Sequence, residues 1–349
     1  MQDVTSLIRS DILRLEGYTP EVHRAKIKLD ANECPYNLFK TLNLRGLELN
    51  RYPDPQARLL KERVSRLWDT EPENLLQGNG SDELIYYLIS ITEGPVLYPV
   101  PTFSMYGIIA RVLGRKPLEI PLDENFDISQ EDFIKKIKEE RPGIIFLSSP
   151  NNPTGNSFSR ERIMSIVESA GSLVVVDEAY QAYAQNGNGF IPYTKRYKNL
   201  VVMRTFSKIG LAGLRLGFVI GNRLIINELN KARLPYNVNT LTQFVVLEAL
   251  KKNLFKDIVK KIISERERLM DGLKKIDGVV AYPSHANFIL FRIKDNGSGG
   301  SAADRVYRRL LKKGIVIKNL TGLLPGCLRV TVGRPQENSA FLRALKEVL

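Results

Sequence analysis

Between about residues 94 and 221, short and unbroken apolar runs recur at 96–98, 143–148, 173–176, 200–203 and 216–220. Amphipathic stretches at 129–140 and 159–169 lie between them and read as helices. Strands that lack a polar face are buried on both sides, the mark of a mainly parallel sheet flanked by helices. The pattern predicts an α/β domain. Beyond Gly221 it turns helical through Lys275, after which short runs near 288–291, 315–317 and 328–332 mix with two more helices. This predicts a smaller α+β domain, completed by the N-terminal arm. The expected division is 1–44 for the arm and part of the small domain, 45–240 for the large domain, and 241–349 for the small C-terminal domain. Residues 295–301, Asp-Asn-Gly-Ser-Gly-Gly-Ser, read as a flexible loop by composition. No internal repeat interrupts this plan.

A chain of 349 residues with 43% hydrophobic and 26% charged positions has enough apolar surface for two cores, which excludes disordered and fibrous classes. Its longest apolar runs fall far short of the roughly 20 residues a bilayer helix needs. Residues 2–11 are polar and form no cleavable leader, so the expected compartment is cytoplasmic. The two cysteines, Cys34 and Cys327, supply no disulfide framework. Two histidines rule out a His-rich metal site, and neither sits in a motif resembling a His-dependent triad. Lys+Arg 51 against Asp+Glu 38 gives +13, compatible with nucleic acid, a membrane surface or small anions. Basic clusters such as Lys251 with Lys252 and Lys260 with Lys261 are accompanied by acids. They read as solvated helix faces, so neither nucleic acid nor membrane is the expected partner.

The most informative segment is Arg204-Thr205-Phe206-Ser207-Lys208, which follows a buried strand and precedes Gly210-Leu211-Ala212-Gly213-Leu214-Arg215. In α/β folds ligands bind beyond the carboxyl ends of the strands. A lysine desolvated there beside other positive charge becomes a Schiff-base nucleophile. Asp177 ends the run 173–176, so a carboxylate emerges from a second buried strand at the same edge. Such a group needs a cationic partner, and a pyridinium nitrogen would serve, kept protonated as an electron sink. Tyr180, three residues on, can aim its hydroxyl at the same ligand. Ser149-Pro150-Asn151-Asn152-Pro153-Thr154-Gly155 follows another strand and is rich in turn formers, so by itself it reads as a plain strand-to-helix loop. Gly78-Asn79-Gly80-Ser81-Asp82-Glu83 precedes a helical pattern at 84–91, so its backbone amides suit a phosphate, or the segment is an ordinary helix cap.

Together these pieces resemble the fold-type I pyridoxal-phosphate aminotransferases, and more closely their histidinol-phosphate branch. The resemblance covers nearly the whole chain. It includes the arm Asp30-Ala31-Asn32-Glu33-Cys34-Pro35-Tyr36, the segment Leu49-Asn50-Arg51-Tyr52-Pro53, Pro101-Thr102-Phe103-Ser104-Met105-Tyr106, Leu234-Pro235-Tyr236, and Cys327-Leu328-Arg329-Val330-Thr331-Val332-Gly333. The cofactor motifs point to the superfamily; the arm and the Asn-Arg-Tyr-Pro segment point to the branch.

Carried over by position, the resemblance implies pyridoxal 5′-phosphate bound covalently to Lys208, which also shuttles the proton. Asp177 would hold the pyridine nitrogen, Asn152 and Tyr180 the phenolic oxygen, and Phe103 the ring face. Ser81, Asp82, Thr205, Ser207 and Arg215 would surround the phosphate, with Tyr52 entering from the second subunit of a homodimer. Arg329 would clamp the substrate anion, with Lys318 as a possible second contact and Tyr18, Asn32, Tyr236 and Asn287 in the pocket. The implied substrates are small anions: L-histidinol phosphate, 2-oxoglutarate and glutamate. Three departures stand out. Phe103 replaces a tyrosine common in relatives, Lys208 and Arg215 are seven apart where eight is common, and Lys318 stands where some relatives place arginine. An aromatic amino-acid aminotransferase or a threonine-phosphate decarboxylase on the same scaffold remains open. A pyridoxal-phosphate-sensing DNA-binding regulator is the remote alternative, because about 30 residues before the arm motif are too few for a helix-turn-helix domain.

Overall fold

The computed structural model describes residues 4–15, 17, 24–39, 43–45, 47–184, 186–294 and 301–349. Tyr18 and residues 295–300 of the glycine-rich loop lie outside the described residues. The strands are β1 (Ile27–Leu29), β2 (Leu75–Gly78), β3 (Val96–Val100), β4 (Pro117–Pro121), β5 (Ile144–Ser148), β6 (Leu173–Asp177), β7 (Leu200–Thr205), β8 (Gly217–Ile220), β9 (Val279–Ala281), β10 (Phe288–Ile293), β11 (Ile315–Asn319) and β12 (Cys327–Thr331).

Seven of them form one sheet in the order β2-β8-β7-β6-β5-β3-β4, in which β8 alone runs against the rest. The unbroken apolar runs have the cause expected of them. Along β5, Ile145 and Leu147 enter the core on one face of the sheet, while Ile144 and Phe146 enter the core on the other. Val174 and Val176 of β6 oppose Val175 in the same way. Burying such a side chain is worth roughly 1.5–3 kcal/mol, so a strand wet on one face would forfeit much of the stability of the sheet. Helices Gln130–Glu140 and Arg160–Ser169 cover one face, each started by a serine whose hydroxyl accepts a backbone N–H: Ser129 from Asp132 and Ser159 from Arg162. The apolar pattern does not announce β2 or β4. β4 begins and ends in proline, which an edge strand tolerates because one side of its backbone needs no partner.

The second sheet, β1-β11-β12-β10-β9, is antiparallel except where β1 of the arm lies parallel to β11. The arm therefore completes the small sheet. Its core gathers Leu29, Phe291, Leu328 and Phe341 with Ile262 and Leu269 from the long helix Phe255–Lys274. The preceding helix, Thr240–Lys251, instead buries Val246 and Ala249 in the core of the large sheet, on the far side of the boundary expected at residue 241. No helix among the described residues is long and apolar enough to cross a membrane.

Candidate active site

The parallel strands deliver their carboxyl ends to one edge, and the candidate residues sit at or just past those ends. β6 closes on Asp177, β5 is followed by the 149–155 loop carrying Asn152, and β7 ends three residues before Lys208. Helix Ser81–Ser90 begins just beyond β2. A cavity of about 440 Å³ is lined by Ser81, Asp82, Phe103, Asn152, Asp177, Tyr180, Ser207, Lys208 and Arg215, joined by Asn32, Lys318 and Arg329.

Asp177 is 4% exposed. Its Oδ2 accepts the Tyr106 hydroxyl at 2.7 Å and its Oδ1 the Ala179 N–H at 3.0 Å. Burial pushes its carboxyl up to about 6, while those two donors pull the other way. Lys208 Nζ stands 5.9 Å from the Tyr180 ring centre. The Tyr180 hydroxyl accepts Asn32 Nδ2 at 2.9 Å, so its own proton is available to a third group. Asn152 Oδ1 accepts Arg329 Nη1, which leaves the amide nitrogen of Asn152 to donate into the cavity. The chain thus presents an acceptor, an amine and two donors around one volume.

A second cluster is built for an anion. Gly80 has φ 87°, and a Cβ there would lie 2.5 Å from Arg215 Nη2, so only glycine lets the guanidinium close over the helix start. The N–H groups of Ser81 and Asp82 open that helix and have no intrahelical acceptor. Arg215 Nη2 is 2.9 Å from Asp82 Oδ2 in a pair 45% and 42% exposed, a weak contact that leaves the cation available. Thr205 Oγ1 and Ser207 Oγ lie 2.9 Å apart; Ser207 lines the cavity, whereas Thr205 does not and donates to the Leu216 carbonyl at 2.9 Å.

At the other end, Arg329 is 7% exposed, donates from Nη2 to the Asp30 carbonyl at 2.7 Å and lies 5.0 Å above the Phe288 ring. Lys318 is its cross-strand partner between β11 and β12. Asn32 N donates to Thr331 Oγ1 at 2.9 Å, and Asn287, fully buried, donates Nδ2 to the Asn32 carbonyl at 3.0 Å. Asn287 thus secures the arm and is not among the residues lining the cavity. Tyr52 and Tyr236 are not among them either. They stack on each other at 4.4 Å, 80% and 41% exposed. Tyr106 closes the 101–106 segment that carries the resemblance, but that segment assigned a role to Phe103 alone; the tyrosine sits at the start of helix Met105–Val112. A buried ion pair, Arg204 with Glu178 at 2.7 Å, braces the turn behind Asp177. Among the described residues no group of three or more His, Cys, Asp or Glu side chains is placed to hold a metal ion.

The model of the aminotransferase class I and II family matches residues 24–345. The histidinol-phosphate aminotransferase of Aquifex aeolicus is 44% identical over 355 residues, covering 98% of each chain. Histidinol-phosphate aminotransferase 2 of Nitrosococcus oceani is also 44% identical, covering 98% of this chain and 97% of its own. Among solved structures, the histidinol-phosphate aminotransferase from Clostridium acetobutylicum superposes with a TM-score of 0.82 at 27% identity, over 92% of this chain and 98% of that one. The enzyme of that name from Sinorhizobium meliloti, solved with pyridoxal-5′-phosphate, shares the fold with a TM-score of 0.86 at 23% identity, over 97% of this chain and 96% of its own.

Proposed function

The chain belongs to the class I and II aminotransferases, among the histidinol-phosphate aminotransferases, and from that premise we propose how its cavity works. It binds pyridoxal 5′-phosphate and exchanges the amino group of L-histidinol phosphate with 2-oxoglutarate, giving imidazole acetol phosphate and L-glutamate, a step of histidine biosynthesis. The single observation that carries this reading is one cavity joining Lys208 and Asp177 to Arg329.

The residues fit the cofactor. A carboxylate whose burial raises it to about 6 is relieved by a cationic ring nitrogen. The side-chain-free Gly80, the two helix-start amides, two hydroxyls and Arg215 suit a phosphate. When bound, pyridoxal phosphate supplies an aldehyde carbon that takes up an amino group and a cationic ring that draws electrons from the adjoining carbon. Asp177 would hold the ring nitrogen and keep it protonated, Asn152 and Tyr180 would donate to the phenolic oxygen, and Phe103 would cover the ring and keep water from it. Lys208 Nζ anchors the cofactor and is the base that removes the proton from the amino-bearing carbon of the substrate.

Arg329 receives the anion of either substrate, phosphate or carboxylate, since a guanidinium fork bonds both bidentately. Lys318 stands beside it as the second cation, and Asn32 lines the same cavity, with Asn287 acting behind it by holding the Asn32 carbonyl. Tyr52, 80% exposed and stacked on Tyr236, would enter the phosphate site of a second copy, and the working unit would then be a homodimer with shared sites. The enzyme acts in the cytoplasm on small anions.

The test is a set of single turnovers: the pyridoxal form mixed separately with histidinol phosphate, phenylalanine, tyrosine, glutamate and threonine phosphate. Histidinol phosphate and glutamate should convert the chromophore fastest. Preference for phenylalanine or tyrosine would move the enzyme to the aromatic class, and carbon dioxide release from threonine phosphate would overturn transamination. For sharing, mixed Tyr52→Ala and Lys208→Ala dimers should regain activity, because one hybrid site receives both intact residues. No recovery after verified subunit exchange would refute it.

A further inference from the structure

Tyr106 is completely buried, yet its side chain carries a hydroxyl that must be used. Its ring is fixed on two sides: Phe146 of β5 stacks against it at 4.6 Å and 11°, and Phe103 meets it edge-on at 5.7 Å and 87°. So held, the hydroxyl reaches Asp177 Oδ2 at 2.7 Å, with the Ser148 side chain as its other neighbour. The phenol is pushed well above its ordinary range, first by burial and then by Asp177, so it stays protonated and acts as the donor. An O–H aimed at a carboxylate is a charge-assisted bond, stronger when the carboxylate is ionised than when it is neutral.

We propose that Tyr106 is a positioning residue of the active site, whose hydroxyl holds the Asp177 carboxylate charged and oriented for the ring nitrogen of the cofactor. The residue acts through Asp177 and touches neither substrate nor the reacting atoms. Other groups act on the same carboxylate from the elements around it: Asp82 from helix Ser81–Ser90 works against its ionisation, and Lys208, past β7, works for it. Tyr180 and Glu178 flank it on its own loop, and Glu178 is already engaged by Arg204. Tyr106 contributes the one side-chain hydrogen bond that favours the charged form. The same ring also backs Phe103, so one residue supports both the partner of the ring nitrogen and the group that would cover the ring face.

This inference rests on the cofactor assignment, and the experiment separates the two. Apoenzyme of the full chain and of Tyr106→Phe is titrated with pyridoxal phosphate, and with its analogue carrying carbon in place of the ring nitrogen. Removing one charge-assisted hydrogen bond should weaken pyridoxal phosphate binding by about tenfold or more. It should leave binding of the analogue unchanged, because that ring offers Asp177 no partner. In carboxyl-labelled apoenzyme, the pH at which Asp177 titrates should also move upward in Tyr106→Phe. Equal losses with both ligands would overturn the proposal in favour of a packing role, as would unchanged affinity and unchanged titration. Failure of the parent apoenzyme to take up pyridoxal phosphate would overturn this inference and the cofactor assignment together, whereas normal uptake by both proteins sinks only the inference.

Discussion

The two ends of the cavity are made differently. At the Asp177 end, Asp177, Lys208, Ser81, Asp82, Ser207 and Arg215 lie at or within a few residues of a strand or helix end of one sheet, and the bonds of Asp177 and Ser207 stay within the large-sheet region, as between Tyr106 and Asp177 or Thr205 and Ser207. At the Arg329 end, the contacts cross the molecule: Arg329 to the Asp30 carbonyl, Arg329 to Asn152, and Asn32 to Tyr180. The first end is preorganised by a single rigid element, the condition under which fixed dipoles and charges act most strongly on a reaction. The second is assembled from arm, small sheet and large sheet. On the proposed assignment of Arg329 to the substrate anion, this end would exchange one anion for another without disturbing the chemistry. The division suits an enzyme that performs one reaction on two dissimilar substrates.

Lys208→Ala should have the largest effect, removing anchor and base together and lowering transamination by several orders of magnitude while the cofactor still binds. Borohydride reduction of the parent should fix the cofactor on Lys208, and a label mapped to another lysine would refute the assignment. Arg204→Met tests the rigidity of the first end. It leaves Glu178 buried without its cation, and urea unfolding should show a loss of about 3–5 kcal/mol, largely recovered when Glu178→Gln is added.

Arg329→Ala tests the second end, with about 2–5 kcal/mol lost from kcat/KM in both half-reactions and the absorbance of the bound cofactor intact. A loss confined to one half-reaction would place the other anion on Lys318 and narrow the contrast between the ends. The smallest effect is a pH dependence. In the apoprotein burial pushes the Asp177 carboxyl up to about 6 from its ordinary 3.8, so its contribution to stability is present below about pH 4 and lost as pH rises through about 6. About two pH units correspond to roughly 2–3 kcal/mol. Denaturant unfolding of the apoprotein should lose that slope in Asp177→Asn; an unchanged slope would mean that burial is not what raises this carboxyl.

The same contrast explains what could be read from the sequence. Asp177, Lys208 and the Gly80-Ser81-Asp82 segment are legible because each lies next to the apolar run or glycine pair that positions it, a relation carried within a few residues. Arg329 was reachable only through resemblance, since nothing near residue 329 says that Asn152 and Asp30 will meet it. Tyr106 stands in the segment that carries the resemblance, but its role is not legible there, because an apolar helix face and a hydrogen-bonding tyrosine share one pattern and only the fold brings its hydroxyl to Asp177. β4 escaped because its prolines read as turn formers until its place at the sheet edge is known. The helix Thr240–Lys251 shows the limit of drawing domains by element type, for a helical stretch does not state which core it enters.

The pairing of Ile27 with Ile315 has a consequence for how the protein is made. Every strand of the large sheet is translated between Leu75 and Ile220, so that sheet can close while the chain is still emerging from the ribosome. The small sheet cannot. β1 leaves the ribosome first among the strands and must wait for β11, and its exposed edge is meanwhile a template for pairing with another chain. With Lys28 and Asp30 flanking Leu29, that waiting edge carries charge, which discourages such pairing until its own partner arrives.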